Sequence, residues 1–524
     1  MEFAPAPHRT QHWQLAKPAA SGRRGIVVAQ ARSAAEAGVA VLDAGGNAID
    51  AAVATALALA TAEPWNSGLG GIGFAVIHRA GEARADVVDF GPVAPRGLNP
   101  SAFTLTGRMK QDLFAWPEVA GDANIHGPLS FAIPSALAGY AFMHGHWGRM
   151  PIRDLFDPAL ALARRGLPMD WFTTLKIANS AAVLRLYPES ARIYLPNGLP
   201  PVPPYQGSPG FLLQGRLADT LDRLRHEGFR DFYEGDIAAA IARDVHAMGG
   251  VLDAEDLRTC HARTMKSTDI AWRGRVIQTA GGLTAAPSMA RVLQLMGATA
   301  FPARPDAAWY VALARAMKTA YAERLAGLGD AEPRAAESCT THLTVCDAEG
   351  SMVAMTTTLL SSMGSRVVLP ATGVLMNNGV MWFDPRPGQA NSIAPGKRPL
   401  TNMSPIVVAQ DGKPWLAAGA SGGRRILAAV IQTMSFVADF AMSPAEAAHY
   451  PRIDVSGPDA VNADARLAPD ILAALAAEGP TEAVEHGVLP INFACPNLIV
   501  RDADGTSTGI SDALSPWSAA VAQH

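Results

Sequence analysis

The sequence predicts an α+β fold in which two antiparallel sheets stack face to face and apolar helices cover them. Three observations point there. Strand hairpins read at 343–358, 405–419 and 492–509. The run 47–62 is alanine-rich and apolar on nearly every face, which suits a helix enclosed between layers better than one lying on a surface. The long β-α alternation that a parallel sheet needs is missing.

Taken in order, residues 1–24 hold Pro5, Pro7 and Pro18 among mostly polar and small residues and read as a flexible N-terminal segment. They lack the continuous apolar core of a secretory signal. A short strand at 26–29 precedes a helix over 33–42, with Ser33 as its expected cap, Glu36 three residues on, and Gly45-Gly46 as its stop. After the 47–62 helix, Gly68-Leu69-Gly70-Gly71-Ile72-Gly73 formally matches the dinucleotide fingerprint. A helix precedes it and a strand follows, the reverse of the order that fingerprint requires, so no nicotinamide or flavin site is expected. A loop close to substrate and a packing turn both fit. Runs 74–78 and 85–90 form a hairpin, and 138–248 is largely helical, with amphipathic stretches at 151–166 and 217–228. The proline-rich run 199–210 reads as a stiff surface loop. His144 and His146 have no third metal ligand nearby and are expected in a loop. A helix over 307–327 leads into the polar stretch 329–338.

With 524 residues, 49% hydrophobic, the chain can bury a large core. Its formal charge of -4, from 43 basic and 47 acidic residues, gives no electrostatic case for nucleic acid or a membrane surface. The longest apolar run, 51–62, is too short to span a bilayer. Four cysteines without metal-ligand spacing fit a reduced compartment, and a cytoplasmic location is expected.

The chemistry concentrates at Glu337-Ser338-Cys339-Thr340-Thr341-His342, where a polar run gives way to strand alternation. A hydroxyl residue stands at the start of a strand. Scission between Cys339 and Thr340 would give Thr340 both a nucleophilic hydroxyl and a free α-amine, and that pairing is one established way to activate a weak hydroxyl. The amine titrates near ~8, so much of it is available as a base around neutral pH.

These residues, with Gly373-Val374-Leu375-Met376-Asn377-Asn378, Lys397-Arg398-Pro399-Leu400-Thr401-Asn402 and Gly419-Ala420-Ser421-Gly422-Gly423, closely resemble the small subunit of gamma-glutamyltransferases. Residues 44–53 and 63–74 resemble the large subunit. The resemblance runs from about Gly25 to near the C-terminus. It implies a four-layer α/β/β/α sandwich of the N-terminal nucleophile hydrolase type. The parts would be a large-subunit-like region 25–339 and a catalytic region 340–524, forming one compact heterodimer of two self-cleaved fragments, with a further homodimer left open. It also implies a small-molecule amide substrate, water or an amine as acceptor, and no cofactor. By the same resemblance Thr340 is the nucleophile and Thr358 bonds its amine or hydroxyl, Gly422 and Gly423 supply the oxyanion hole, and Thr401 and Asn402 stand where a serine pair holds the substrate carboxylate.

The chain departs from the family at three positions. Gly91 replaces the arginine that grips the substrate α-carboxylate, Trp382 the aspartate that binds its α-ammonium, and Leu360 an asparagine two residues past Thr358. Both charged anchors of a glutamyl group are therefore missing, and an indole adds an apolar wall. Arg96 reads as a solvated loop charge, whereas Arg366 and Arg424 are candidates to hold a relocated carboxylate. The expected activity is cleavage of a γ-glutamyl or similar small acyl amide; an amidase for another acyl group, such as oxamate or a cephalosporin side chain, is the alternative. Two rivals remain. Gly419-Ala420-Ser421-Gly422-Gly423 also fits a nucleophile elbow with Ser421, Asp454 and His486 in α/β-hydrolase order, and a non-catalytic ligand-binding homologue would keep the fold alone.

Overall fold

The computed structural model describes residues 15–110, 116–299, 301–328, 339–457, 460–485 and 492–523. Two seven-stranded sheets organise it. From edge to edge the first contains Ala519–Ala522, Gly25–Ala29, Cys339–Asp347, Met352–Leu360, Ile72–His78, Asp86–Phe90 and Arg263–Lys266. The second contains Ala20–Gly22, Ser507–Ser511, Cys495–Arg501, Lys413–Ser421, Ile406–Gln410, Arg275–Thr279 and Thr268–Trp272. Every neighbouring pair in both sheets is antiparallel.

Alternation along the strands sorts the side chains into three cores. In the first sheet Val27, Ala29, Leu343, Val345, Val353 and Met355 face helices, while their neighbours Ile26, Val28, Cys346, Met352 and Ala354 face the second sheet, where they meet Val407, Ala417 and Ile499. Helices Arg32–Asp43, Ala48–Ala62 and Ala136–Trp147 cover the outer face of the first sheet, with Ile152–Arg165 packed behind Ala48–Ala62 and Leu217–Glu227 behind that. Ala286–Met296, Ala307–Leu328 and Ile426–Ala438 cover that of the second. Helices, sheet, sheet, helices is the four-layer order expected.

All 15 residues of Ala48–Ala62 are buried. Asn47 caps the helix by accepting from the Ile49 and Asp50 amides, and Asp50 returns a bond to the Asn47 N–H. Its small side chains let Arg32–Asp43 approach so closely that a Cβ on Gly38 would lie 2.2 Å from Thr55 Oγ1. Gly419 does the same between the sheets: a Cβ there would lie 2.2 Å from the His342 ring, which fills the space.

Regions 25–339 and 340–524 interlace, and neither holds a complete sheet. Cys339–Asp347 lies between Gly25–Ala29 and Met352–Leu360, and the latter pairs in turn with Ile72–His78. Within 1–24, expected to be flexible, Ala20–Gly22 is an edge strand against Ser507–Ser511.

Several local expectations are corrected. Ser33 is not a cap: the helix begins at Arg32, after Ala31, whose side chain cannot cap it, and Glu36 pairs with Arg32. His144 and His146 lie in the last turn of Ala136–Trp147, not in a loop, and bond the carbonyls of Met150 and Phe142. The proline-rich run is an exposed loop as read, with Tyr205 fully open to solvent. The glycine loop packs: a Cβ on Gly70 would meet the Leu375 carbonyl at 2.4 Å. Arg96 is tied to Asp253 and Asp256. The stretch 329–338 lies outside the described residues.

Candidate active site

Thr340 stands at the head of the Cys339–Asp347 strand, near the middle of the first sheet, on the side facing the second. Opposite it the ladder slips. Cys339 pairs with Leu360 and Thr341 with Thr357, so two residues, Thr358 and Leu359, oppose the single Thr340. This bulge on the partner strand aims the Thr358 hydroxyl at Thr340, with the two oxygens 3.3 Å apart. The Leu360 N–H donates to Thr358 Oγ1 at 2.8 Å and fixes that side chain's rotamer. Leu360, Met363 and Arg366 all have positive φ, at 86°, 59° and 62°, which marks the turn after Thr358 as locally strained.

A narrow cleft opens at Thr340. It is lined by Thr340, Leu360, Trp382, Asn402, Met403, Gly423 and Ile426. Residues far apart in sequence meet there because strand Lys413–Ser421 ends at the same height and turns through Gly422 and Gly423 into helix Ile426–Ala438. That turn demands glycine: Gly422 has φ 142°, and a Cβ on it would lie 2.6 Å from Ala494 Cβ. The Gly422–Gly423 amides precede the helix, whose positive end favours developing negative charge.

The remaining sequence-selected residues divide. Trp382 and Asn402 line the cleft. Thr401 turns away, its hydroxyl donating to the Leu283 carbonyl at 3.0 Å and its own carbonyl held by Arg324, so only the second member of the pair lines the cleft. Gly91 carries no side chain, and its place is taken. A Cβ there would lie 2.9 Å from an Arg398 guanidinium nitrogen. Arg398 bonds Asp89, which also holds Arg263 at 2.6 Å, so one carboxylate serves two guanidiniums. Arg366 is not brought to the cleft: it bonds the Gly364 carbonyl at 2.6 Å and Ser361 Oγ at 2.7 Å in its own loop. Arg424 follows Gly423, and its carbonyl accepts from Tyr321 at 2.5 Å, but its side chain is not part of the cleft wall. The backbone of Cys339 begins the strand; its side chain lies outside the described residues.

His342, two residues beyond Thr340, is fully buried. Burial pushes its imidazole down to about 3, so it is neutral, with Nδ1 2.9 Å from Thr356 Oγ1. Sequence reasoning missed a second set of residues, behind the strand. Thr341 Oγ1 lies 2.8 Å from Glu63 Oε2 and 3.0 Å from Gln30 Oε1, and Gln30 Nε2 donates to Ser421 Oγ. The available signal was a glutamate closing a helix that is apolar all round, where it has to be buried.

The elbow reading is overturned. Strand Lys413–Ser421 is antiparallel to both neighbours, as no α/β-hydrolase sheet would have it, Ser421 is held by Gln30, and Asp454 bonds Ser456. His486 lies outside the described residues. Among the described residues no group of three His, Cys, Asp or Glu is placed to hold a metal, and no helix is long and apolar enough to cross a membrane.

A stacked antiparallel pair of sheets between helix layers, with a hydroxyl residue heading a central strand, is the fold of N-terminal nucleophile hydrolases. The Gamma-glutamyltranspeptidase family model matches residues 34–339 and 331–522, and the chain belongs to that family. The acylase ACY 1 proenzyme of Pseudomonas sp. (strain V22) is 31% identical, the match covering 97% of this chain and 95% of that protein. The glutathione hydrolase proenzyme of Bacillus subtilis (strain 168) is 28% identical over 94% of this chain and 90% of its own. Among solved structures, cephalosporin acylase from Bacillus halodurans superposes over the whole of both chains with a TM-score of 0.83 at 22% identity, a likeness of fold.

Proposed function

We propose that this enzyme is a precursor that cuts itself between Cys339 and Thr340 and then hydrolyses small acyl amides through an acyl-Thr340 ester. The observation that carries this reading is the placement of Thr340 Oγ1 at the cleft, 3.3 Å from Thr358 Oγ1 and across from Gly423. The proenzyme names of the similar acylase and glutathione hydrolase support it. In maturation the Thr340 hydroxyl attacks the Cys339 carbonyl. The amide C–N bond breaks, an ester forms, and the α-amine is released. Water then opens the ester, leaving a carboxylate on Cys339 and Thr340 with both hydroxyl and amine. In turnover the amine takes the hydroxyl proton as Thr340 Oγ1 attacks the substrate carbonyl. The Gly422 and Gly423 amides hold the oxyanion, each such donor being worth about 3 kcal/mol. The proton passes to the leaving amine, and water or an amine acceptor, attacking with the α-amine again as base, receives the acyl group.

The acyl group is one without an α-ammonium. Trp382 stands in the cleft wall where a carboxylate would be needed to hold that charge, and the similarity to an acylase proenzyme agrees. Arg398 fills the place of a side chain at Gly91, and to hold an acyl chain ending in a carboxylate it would have to turn from Asp89, which it shares with Arg263, toward the cleft. Screening the purified protein against γ-glutamyl, glutaryl and oxamyl amides tests this: glutaryl or oxamyl turnover is expected to exceed γ-glutamyl turnover, and the opposite order would restore a glutamyl enzyme. Trp382→Asp should move the γ-glutamyl to glutaryl ratio of kcat/KM upward by about 10- to 100-fold, the equivalent of one charge-assisted hydrogen bond. Thr340→Ala should leave the chain uncut and inactive.

A further inference from the structure

The buried set behind the Thr340 strand poses a counting problem. Thr341 Oγ1 lies within hydrogen-bond distance of two acceptors, Glu63 Oε2 at 2.8 Å and Gln30 Oε1 at 3.0 Å, yet a hydroxyl has one hydrogen. If Glu63 were ionised, that hydrogen would go to the carboxylate, and Gln30 Oε1 would lose the Thr341 donor. If Glu63 carries a proton, every contact is satisfied in one direction. Glu63 would then donate to Thr341 and Thr341 to Gln30 Oε1, while Gln30 Nε2 donates to Ser421 Oγ. Two members of this chain adjoin the site: Thr341 follows Thr340, and Ser421 precedes Gly422 and Gly423. Glu63, Gln30 and Thr341 are all buried.

We propose that Glu63 is a positioning residue that heads a one-way hydrogen-bond chain, Glu63 to Thr341 to Gln30 to Ser421, which holds the Thr340 strand and the Gly422–Gly423 turn in register only while Glu63 keeps its proton. Its surroundings favour the protonated form. Burial pushes the Glu63 carboxyl up to about 7, against the opposing effects of Thr341, Asn66, Lys176 and Trp65. Lys176, on helix Trp171–Leu184, is the charged group acting on it; the other three are neutral. The chain is therefore intact below about pH 7 and broken above it.

The inference rests on Thr340 as nucleophile, and self-cleavage separates the two ideas without any substrate. Newly translated chains of wild type, Glu63→Gln and Thr341→Val would be followed by gel and intact mass as they cut, between pH 6 and 8. Glutamine donates to Thr341 at every pH, so dividing the wild-type rate by the Glu63→Gln rate cancels the pH dependence of the attack itself. The ratio should fall about tenfold from pH 6 to pH 8, following a single ionisation near 7. Thr341→Val keeps the shape but cannot relay, so it should cut slowly with no such titration. A flat ratio, or a Thr341→Val chain with the wild-type profile, overturns the chain. A wild type that never cuts overturns the nucleophile reading instead. If Glu63→Gln does not fold, as judged by its thermal melt, the Thr341→Val profile alone decides.

Discussion

At the scale of single residues, function depends on which way a side chain turns, and neighbours of similar chemistry separate. Thr340 and Thr341 are adjacent hydroxyls on one strand, yet one faces the cleft and the other the helix layer, because strand side chains alternate. Thr401 and Asn402 split in the same way. Thr358 reaches Thr340 only because of the bulge opposite it. Replacing Thr358 with valine removes that hydrogen bond without changing the shape. It should lower kcat by about 10- to 100-fold with a small effect on KM, measured on processed protein; an unchanged kcat would remove Thr358 from the mechanism. Thr340, Trp382 and Gly423, each named from a local motif, meet at one cleft, with Thr358 beside Thr340. The sequence left Arg398 and Glu63 hidden. Arg398 meets Asp89, 309 positions away, and Glu63 meets Thr341, 278 positions away, and no local pattern encodes such encounters.

Among the elements, the contact between the two sheets matters most, because the cleft lies where the Thr340 strand and the Gly422 turn face each other across it. His342 and Gly419 set that contact, an imidazole kept neutral by burial against a residue without a side chain. Gly419→Ala would drive a methyl into the ring. The sheets would have to part, at a cost of about 1–3 kcal/mol, the usual penalty of overpacking a filled core. A lowered melting temperature with reduced activity is expected, and a Gly419→Ala protein as stable as wild type would show that the sheets are not in this contact. The hairpins and the Ala48–Ala62 helix were readable because alternation and an all-apolar helix are strong periodic signals. The start of Arg32–Asp43 was not: Gln30, in the turn just before it, serves Thr341, and the chain enters the helix from Ala31 without a side-chain cap.

Across the whole molecule, strands from before and after position 340 pair with each other within both sheets, so scission there would leave the layers joined by their ladders. Neither region completes a sheet alone, so the stacked sheets were legible from the hairpins, whereas the pairing of Gly25–Ala29 with Cys339–Asp347, more than 300 positions on, had no local signal. The same interlacing explains how a new terminus can form at the centre of a sheet without unfolding it. N-terminal sequencing of the purified, active protein tests the central claim most directly. It should give two termini, one of them beginning Thr340-Thr341-His342. A single uncut chain of 524 residues that still turns over an amide would contradict it.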